Sequence, residues 1–231
     1  MTPTPDDERL VRVAARALGR HGLVHAYGHV SLRLDPAHFL VGASRSLGLL
    51  RPSEAGTVVP LDGPLPEGVL PEVRIHREIY RARSDVHGIA RVQPPKTMSL
   101  SVLGRTPVAC HGFGSYFHPQ PPLWDDPMLV RDDARAVELA HVLDTARAIV
   151  MRGNGAVLVG DSLPMAVVLA WYLEDAARVE LDALSTGLPV RRFTDAQSAV
   201  RATWNGRLLE RMWDYLTHGD PEIPFPIEDS P

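Results

Sequence analysis

Apolar and polar positions along this chain follow two rhythms that keep exchanging. From Asp6 to His21 the apolar residues Leu10, Val11, Val13, Ala14 and Leu18 recur at helical spacing, and Gly22 is a natural stop. The stretches "YGHVSLRLD" and "HFLVGAS" read as short strands flanking Pro36. "GTVVPLDG" is a third strand, ended by a turn at Asp62-Gly63. "LPEVRIHREIYRAR" returns to helical spacing, with Pro71 in the first turn, a position that tolerates proline. "DVHGIARVQ" reads as a strand that Pro94-Pro95 ends, with a helix following from Lys96 to Leu103. "DDARAVELAHVL" is a helix and "RAIVMRG" a strand. "NGAVLVG" continues after a tight turn, where Gly153 and Gly155 supply the unusual dihedrals. Ser162 caps a long helix running to about Leu184, and a last helix covers roughly Asp195 to Leu216.

Helices and strands therefore alternate, but the strands are short and some follow each other directly. That pattern predicts an α/β fold with a central mixed, mostly antiparallel sheet and helices on both faces. The tail "GDPEIPFPIEDSP", from about residue 219, is Pro-rich and is expected to wrap a surface. Hydrophobic residues make up 45% and charged residues 23%, enough apolar material for a sizeable core. A net charge of −4 gives no electrostatic reason to expect nucleic acid or an anionic membrane as partner. The single Cys110, the polar start "MTPTPDDERL" and a longest apolar run of only "PMAVVLAWYL" predict a cytoplasmic protein without a membrane span. The glycine-rich loops that cradle nucleotide phosphates are missing.

Four segments, in order and at matching separations, resemble the class II aldolase/adducin family. They are the opening stretch, "GHVSLR" at Gly28 to Arg33, "PEVRIHREIYRARSDV" at Pro71 to Val86, and "IVMRGNGAVLVG" at Ile149 to Gly160 followed by "MAVVLAWYLEDAA". The resemblance runs from about Arg9 to Ala183. It implies one domain over residues 1–231, built as a three-layer α/β/α sandwich around a nine-stranded sheet. It also implies a homotetramer with active sites between neighbouring subunits. The family's acid/base Glu falls on Glu72. In metal-dependent members three His hold zinc or another divalent ion, and those positions fall here on Arg91, Gln93 and Asn154.

A guanidinium is always charged and offers no lone pair, while amide oxygens suit hard ions and bind them weakly. No cofactor is therefore expected, and a divalent metal only through other ligands. Arg91 can instead take the cation's electrostatic place and, with Gln93 and Asn154, hold a carboxylate or a developing enolate. A degenerate, non-catalytic binding or scaffold protein, as the adducin branch illustrates, is the contrasting reading. Family members acting on sugar phosphates bind phosphate through an Asn where this chain has His29, and through a Ser pair where it has Leu70-Pro71. Both replacements argue against a phosphorylated sugar. The "GHVS" turn is instead similar to a branch that decarboxylates hydroxylated aromatic dicarboxylic acids.

The expected activity is that of a carbon–carbon lyase, a non-oxidative decarboxylase of a hydroxylated aromatic or related carboxylic acid. Glu72, His29 and Arg91 are the candidate catalytic residues, and Gln93, Asn154, Ser44, Arg45 and His111 the candidate substrate contacts. Ser44 and Arg45 sit where the family's substrate-anion loop begins. His111 lies in a Gly-rich loop after an expected strand and serves equally well as a plain surface residue. Retro-aldol cleavage of a non-phosphorylated hydroxy-keto acid is the enzymatic alternative, as are dehydration and cyclisation through an enolate. The choice of acid stays open between Glu72, which burial would raise and Arg91 would lower, and His29. His76, one turn beyond Glu72 on the same helix face, is read as structural. Trp204, Trp213 and Tyr215 are read as packing or subunit contacts.

Overall fold

The computed structural model describes residues 2–223. Helix α1 (Pro5–Arg20) opens at a capping box in which Thr4 and Asp7 satisfy each other's backbone amides. Strands β1 (His29–Arg33), β2 (His38–Val41) and β3 (Thr57–Pro60) follow as a meander. A short 3-10 turn over Pro71–Val73 leads directly into α2 (Arg74–Ala82). Then come β4 (Gly88–Val92), α3 (Pro95–Ser101), the two-residue β5 (Leu123–Trp124) and α4 (Asp133–Leu143). Strands β6 (Ala148–Met151) and β7 (Gly155–Gly160) form a hairpin, and Ser162 caps α5 (Leu163–Leu184) as its position predicts. Helices α6 (Asp195–Arg201) and α7 (Leu208–Thr217) complete the described chain.

The seven strands form one sheet in the order β3-β2-β1-β4-β7-β6-β5. Every neighbouring pair is antiparallel except β5 with β6. The mixed, mostly antiparallel sheet matches expectation, whereas the nine strands implied by the resemblance are seven among the described residues. Strand periodicity sorts the side chains into two cores. Val30, Ala90, Val92, Val150, Ala156 and Leu158 face α1 and α5. Phe39, Val59, Ile89, Ile149, Val157 and Val159 face α2 and α4. Each of the Val, Leu, Ile and Phe side chains among these, fully buried, contributes about 1.5–3 kcal/mol, so both helical layers are needed to cover the sheet.

Two expectations fail locally. The single last helix is split, because Asn205-Gly206 and the left-handed Arg207 (φ 58°) turn the chain between Arg201 and Leu208. No strand precedes His111; residues 105–112 run irregularly into a 3-10 turn at Phe113–Phe117. Of the Pro-rich tail, residues 219–223 are described and the rest lies outside the described residues. The described part is clamped to α1. The buried Asp220 carboxylate accepts from Arg16 at 2.6 and 2.8 Å and from Arg20 at 2.8 Å, and Glu222 accepts from Arg12 and Arg16.

Candidate active site

The register of β1 on β4 pairs His29 with Arg91 and Ser31 with Ile89. All of these side chains lie on the face covered by α2. On that helix and the turn before it, Glu72, His76 and Tyr80 follow at four-residue intervals and share one edge. The result is a buried polar line inside an otherwise apolar layer. His29 Nδ1 lies 2.8 Å from His76 Nε2, and His76 Nδ1 lies 2.6 Å from Ser31 Oγ. Ser31 Oγ is 2.9 Å from the Tyr80 hydroxyl, which also donates to the Ser31 carbonyl at 3.1 Å.

Arg91 is 2% exposed, which decides its character: a guanidinium so buried must be held by neighbours. Its Nη1 donates to the Val92 carbonyl at 2.8 Å. Its Nη2 lies 3.7 Å from Glu72 Oε2, close enough for charge compensation but too long for a hydrogen bond. Room for the guanidinium comes from Gly155 (φ 101°). A Cβ there would lie 3.0 Å from Arg91 Nη1 and 2.0 Å from the Val92 carbonyl oxygen.

A cavity of about 730 Å³ opens beside this group. His29, Ser44, Arg45, Glu72, Gln93 and Asn154 all line it, so the structure brings together six of the eight expected site residues at one surface. Arg91 lies behind them, in reach of Glu72. Four buried polar atoms of the group have no partner: His29 Nε2, Glu72 Oε1, Arg91 Nε and Asn154 Nδ2. Unpaired buried polar atoms are costly, so such a cluster marks a place where a ligand completes the bonding. Other surface depressions, such as that between Tyr116–Pro122 and Val142–Ala148, have no comparable set.

His111 is not in the cavity. Its Nε2 is 4.0 Å from Asp175 on α5 and its ring packs edge-on to Phe113. Conversely, Tyr27, Leu129 and Arg131 line the cavity without having been expected. Arg131 immediately precedes the Asp132 cap of α4, and among the described residues its guanidinium has no hydrogen bond or ion pair. Arg45, by contrast, is held by Glu54 at 2.7 Å.

Burial sets the charge states. His29 is pushed well below its ordinary value by desolvation, then by His76 and Arg91, so it is neutral at neutral pH. His76 is lowered to about 3 by desolvation and by Arg91. Arg91 is lowered by desolvation, and Glu72 offsets part of that. Burial raises the Tyr80 phenol. A neutral His29 cannot serve as a standing imidazolium acid, which narrows the two candidate acids.

The guanidinium of Arg91 and the amides of Gln93 and Asn154 offer no imidazole nitrogen, so these three side chains do not fit a three-imidazole zinc site. Among the described residues, no group of three or more His, Cys, Asp or Glu side chains converges where it could hold a metal ion. What the arrangement offers is a fixed positive charge, amide donors, a carboxyl group and a neutral imidazole around one cavity.

Residues 9–181 match the family described as Class II Aldolase and Adducin N-terminal domain. A 3,4-dihydroxyphthalate decarboxylase of Arthrobacter keyseri is 27% identical over 82% of this chain and 83% of its own length. One from Rhodococcus jostii is 25% identical over 77% and 80%. The crystal structure of an L-fuculose-1-phosphate aldolase from Thermus thermophilus superposes with a TM-score of 0.69 at 28% identity, over 78% of this chain and 97% of that one. With three quarters of its length inside the family's pattern, the chain belongs to the class II aldolase and adducin N-terminal domain family.

Proposed function

We propose that this chain is a carbon–carbon lyase, a non-oxidative decarboxylase of a hydroxylated aromatic carboxylic acid, working without the three-imidazole zinc site. The observation that carries the reading is the buried Arg91 facing Glu72 beside His29, with unpartnered buried polar atoms on His29, Glu72 and Asn154, which line the cavity, and on Arg91 behind them. The decarboxylase names of the relatives support the reaction class.

In this mechanism the ring hydroxyl and carboxylate oxygens meet Arg91, Gln93 and Asn154, which replace the polarising cation by directional donors. As the substrate's anionic oxygens replace Glu72 opposite Arg91, Glu72 takes a proton from solvent and delivers it to the ring carbon that bears the carboxylate; the carbon–hydrogen bond forms as the hydroxyl oxygen feeds electron density into the ring. The carbon–carbon bond then breaks. Its electron pair restores the aromatic ring and carbon dioxide leaves. Glu72, with 21% of its side chain exposed, regains a proton from solvent. Arg131, unpaired at the rim, and Arg45 are suited to a second carboxylate.

A second reading, retro-aldol cleavage of a non-phosphorylated hydroxy-keto acid, draws on the similarity to the fuculose-phosphate aldolase. It passes through an enolate that the same donors would stabilise. We place the chain in a homotetramer with sites between subunits and in the cytoplasm. No helix among the described residues is long and apolar enough to cross a membrane.

The test is a panel of hydroxylated benzoic and phthalic acids scored for carbon dioxide release, beside hydroxy-keto acids scored for aldehyde release. Release of carbon dioxide from an ortho-hydroxylated aromatic acid supports the proposal. Aldehyde release alone moves it to the second reading. Stoichiometric zinc in the purified protein would overturn the role given to Arg91.

A further inference from the structure

The line from His29 to Tyr80 fixes more than the position of a ring. It contains four close polar contacts: His29 to His76, His76 to Ser31, Ser31 Oγ to the Tyr80 hydroxyl, and that hydroxyl to the Ser31 carbonyl. It also contains four mobile protons, one on each neutral imidazole and one on each hydroxyl. Both rings are neutral: burial away from water disfavours the charged form of each, and Arg91, facing them from β4, disfavours it further.

Only one arrangement gives every contact its own proton. Tyr80 donates to the Ser31 carbonyl, Ser31 donates to the Tyr80 oxygen, His76 donates from Nδ1 to Ser31, and His29 donates from Nδ1 to His76 Nε2. The reverse arrangement places a proton on His29 Nε2, outside the line. That leaves three protons for four contacts, and one buried contact becomes oxygen against oxygen without a hydrogen. An unmade buried hydrogen bond disfavours the reverse arrangement by roughly tenfold or more, enough to decide the tautomer.

We propose that His29 presents an unprotonated Nε2 to the cavity as the acceptor for a substrate hydroxyl, and that His76, Ser31 and Tyr80 are positioning residues which hold it in that tautomer. His29 lines the cavity, and its Nε2 is buried and unpartnered, as an acceptor awaiting a donor must be. The inference rests on reading this cavity as the substrate site. It assigns the substrate a hydroxyl hydrogen directed at His29, beside the oxygens held by Arg91. It also leaves the carbon-protonating role to Glu72 alone, because a ring that accepts at Nε2 has no proton there to give.

Histidine ring nitrogens in the full chain labelled with 15N report the tautomer directly, with a His29→Asn variant assigning the signals. Both His29 and His76 are expected as Nδ1–H forms with unprotonated Nε2. An Nε2–H form of His29 would overturn the proposal whatever the enzyme's reaction. In Tyr80→Phe, Ser31 loses its acceptor and turns its proton toward His76 Nδ1, so His29 should gain Nε2–H population. An unchanged tautomer there would remove Tyr80 from the positioning line. Calorimetry with a catechol carboxylic acid and its dimethyl ether supplies the ligand arm. The free hydroxyl should bind about tenfold more tightly to the native chain, and the preference should shrink in Tyr80→Phe. Equal binding of the two would sink the acceptor role. If neither binds, the substrate reading fails while the ring signals still judge the tautomer.

Discussion

Glu72 and His29 start as rival acids, and geometry separates them. His29 is neutral and tied to His76, whereas Glu72 keeps one buried carboxyl oxygen unpartnered beside Arg91. Glu72→Gln keeps the shape and removes the transferable proton, so turnover should drop by about 10²–10⁴-fold with stability nearly unchanged. Steady-state carbon dioxide release and a urea titration of the same variant check the two halves. Arg91→Lys keeps a charge but loses the planar fork and its contact to the Val92 carbonyl. Its KM for an aromatic acid should rise while the fold persists; an unchanged KM would remove Arg91 from substrate binding. His76 was legible as a residue on the Glu72 face but not as a link in a polar line. Its partners Ser31 and His29 come from a strand, and only the register of β1 beneath α2 joins them. Its protonation makes a stability prediction. In the unfolded chain the ring takes a proton near pH 6.5, and in the fold only near about 3. The unfolded state therefore binds the extra proton between those values. This contribution is full above about pH 6.5 and is lost as the pH falls toward 3. His29 acts in the same direction. The urea midpoint should fall between pH 7 and pH 5, and His76→Gln should flatten that slope.

At the scale of elements, the hairpin of β6 and β7 carries the site more than its length suggests. Its turn supplies Asn154 to the cavity, and its Gly155 makes way for Arg91. A side chain at Gly155 meets both a positive φ and the Val92 carbonyl, so Gly155→Ala should cost about 1–3 kcal/mol and disturb Arg91 as well. Denaturant unfolding reads the first effect and substrate affinity the second. Most elements could be read from periodicity and punctuation: Gly22 ends α1, Pro94-Pro95 separates β4 from α3, and Ser162 caps α5. The two-residue β5 left no periodic trace, and its parallel pairing with β6 is a product of packing. In the last helix, the Asn205-Gly206 pair was a turn signal that helical spacing on either side concealed. Tyr27, Leu129 and Arg131 escaped notice because each belongs to a loop whose place at the cavity depends on the rest of the fold. His111 lies outside the cavity, against Phe113 and 4.0 Å from Asp175, a placement that its Gly-rich sequence did not reveal.

For the molecule as a whole, the clamp of Asp220 and Glu222 on Arg12, Arg16 and Arg20 joins regions some 200 positions apart in sequence. Arg16 and Asp220 are separated by 204 positions. The Asp220 side chain is fully covered, so Asp220→Ala leaves the Arg16 guanidinium buried without its main partner. The expected loss is about 3–5 kcal/mol, measurable as a lower urea midpoint, and Asp220→Asn should be milder because it preserves part of the hydrogen bonding. The same clamp bears on how the protein comes into being on the ribosome. Helix α1 is synthesised more than 200 residues before the carboxylates of Asp220 and Glu222 that compensate Arg12 and Arg16. Until residues 220–222 clear the exit tunnel, Arg16 and Arg20 lack the carboxylates that let this helix face be buried, so its docking awaits them.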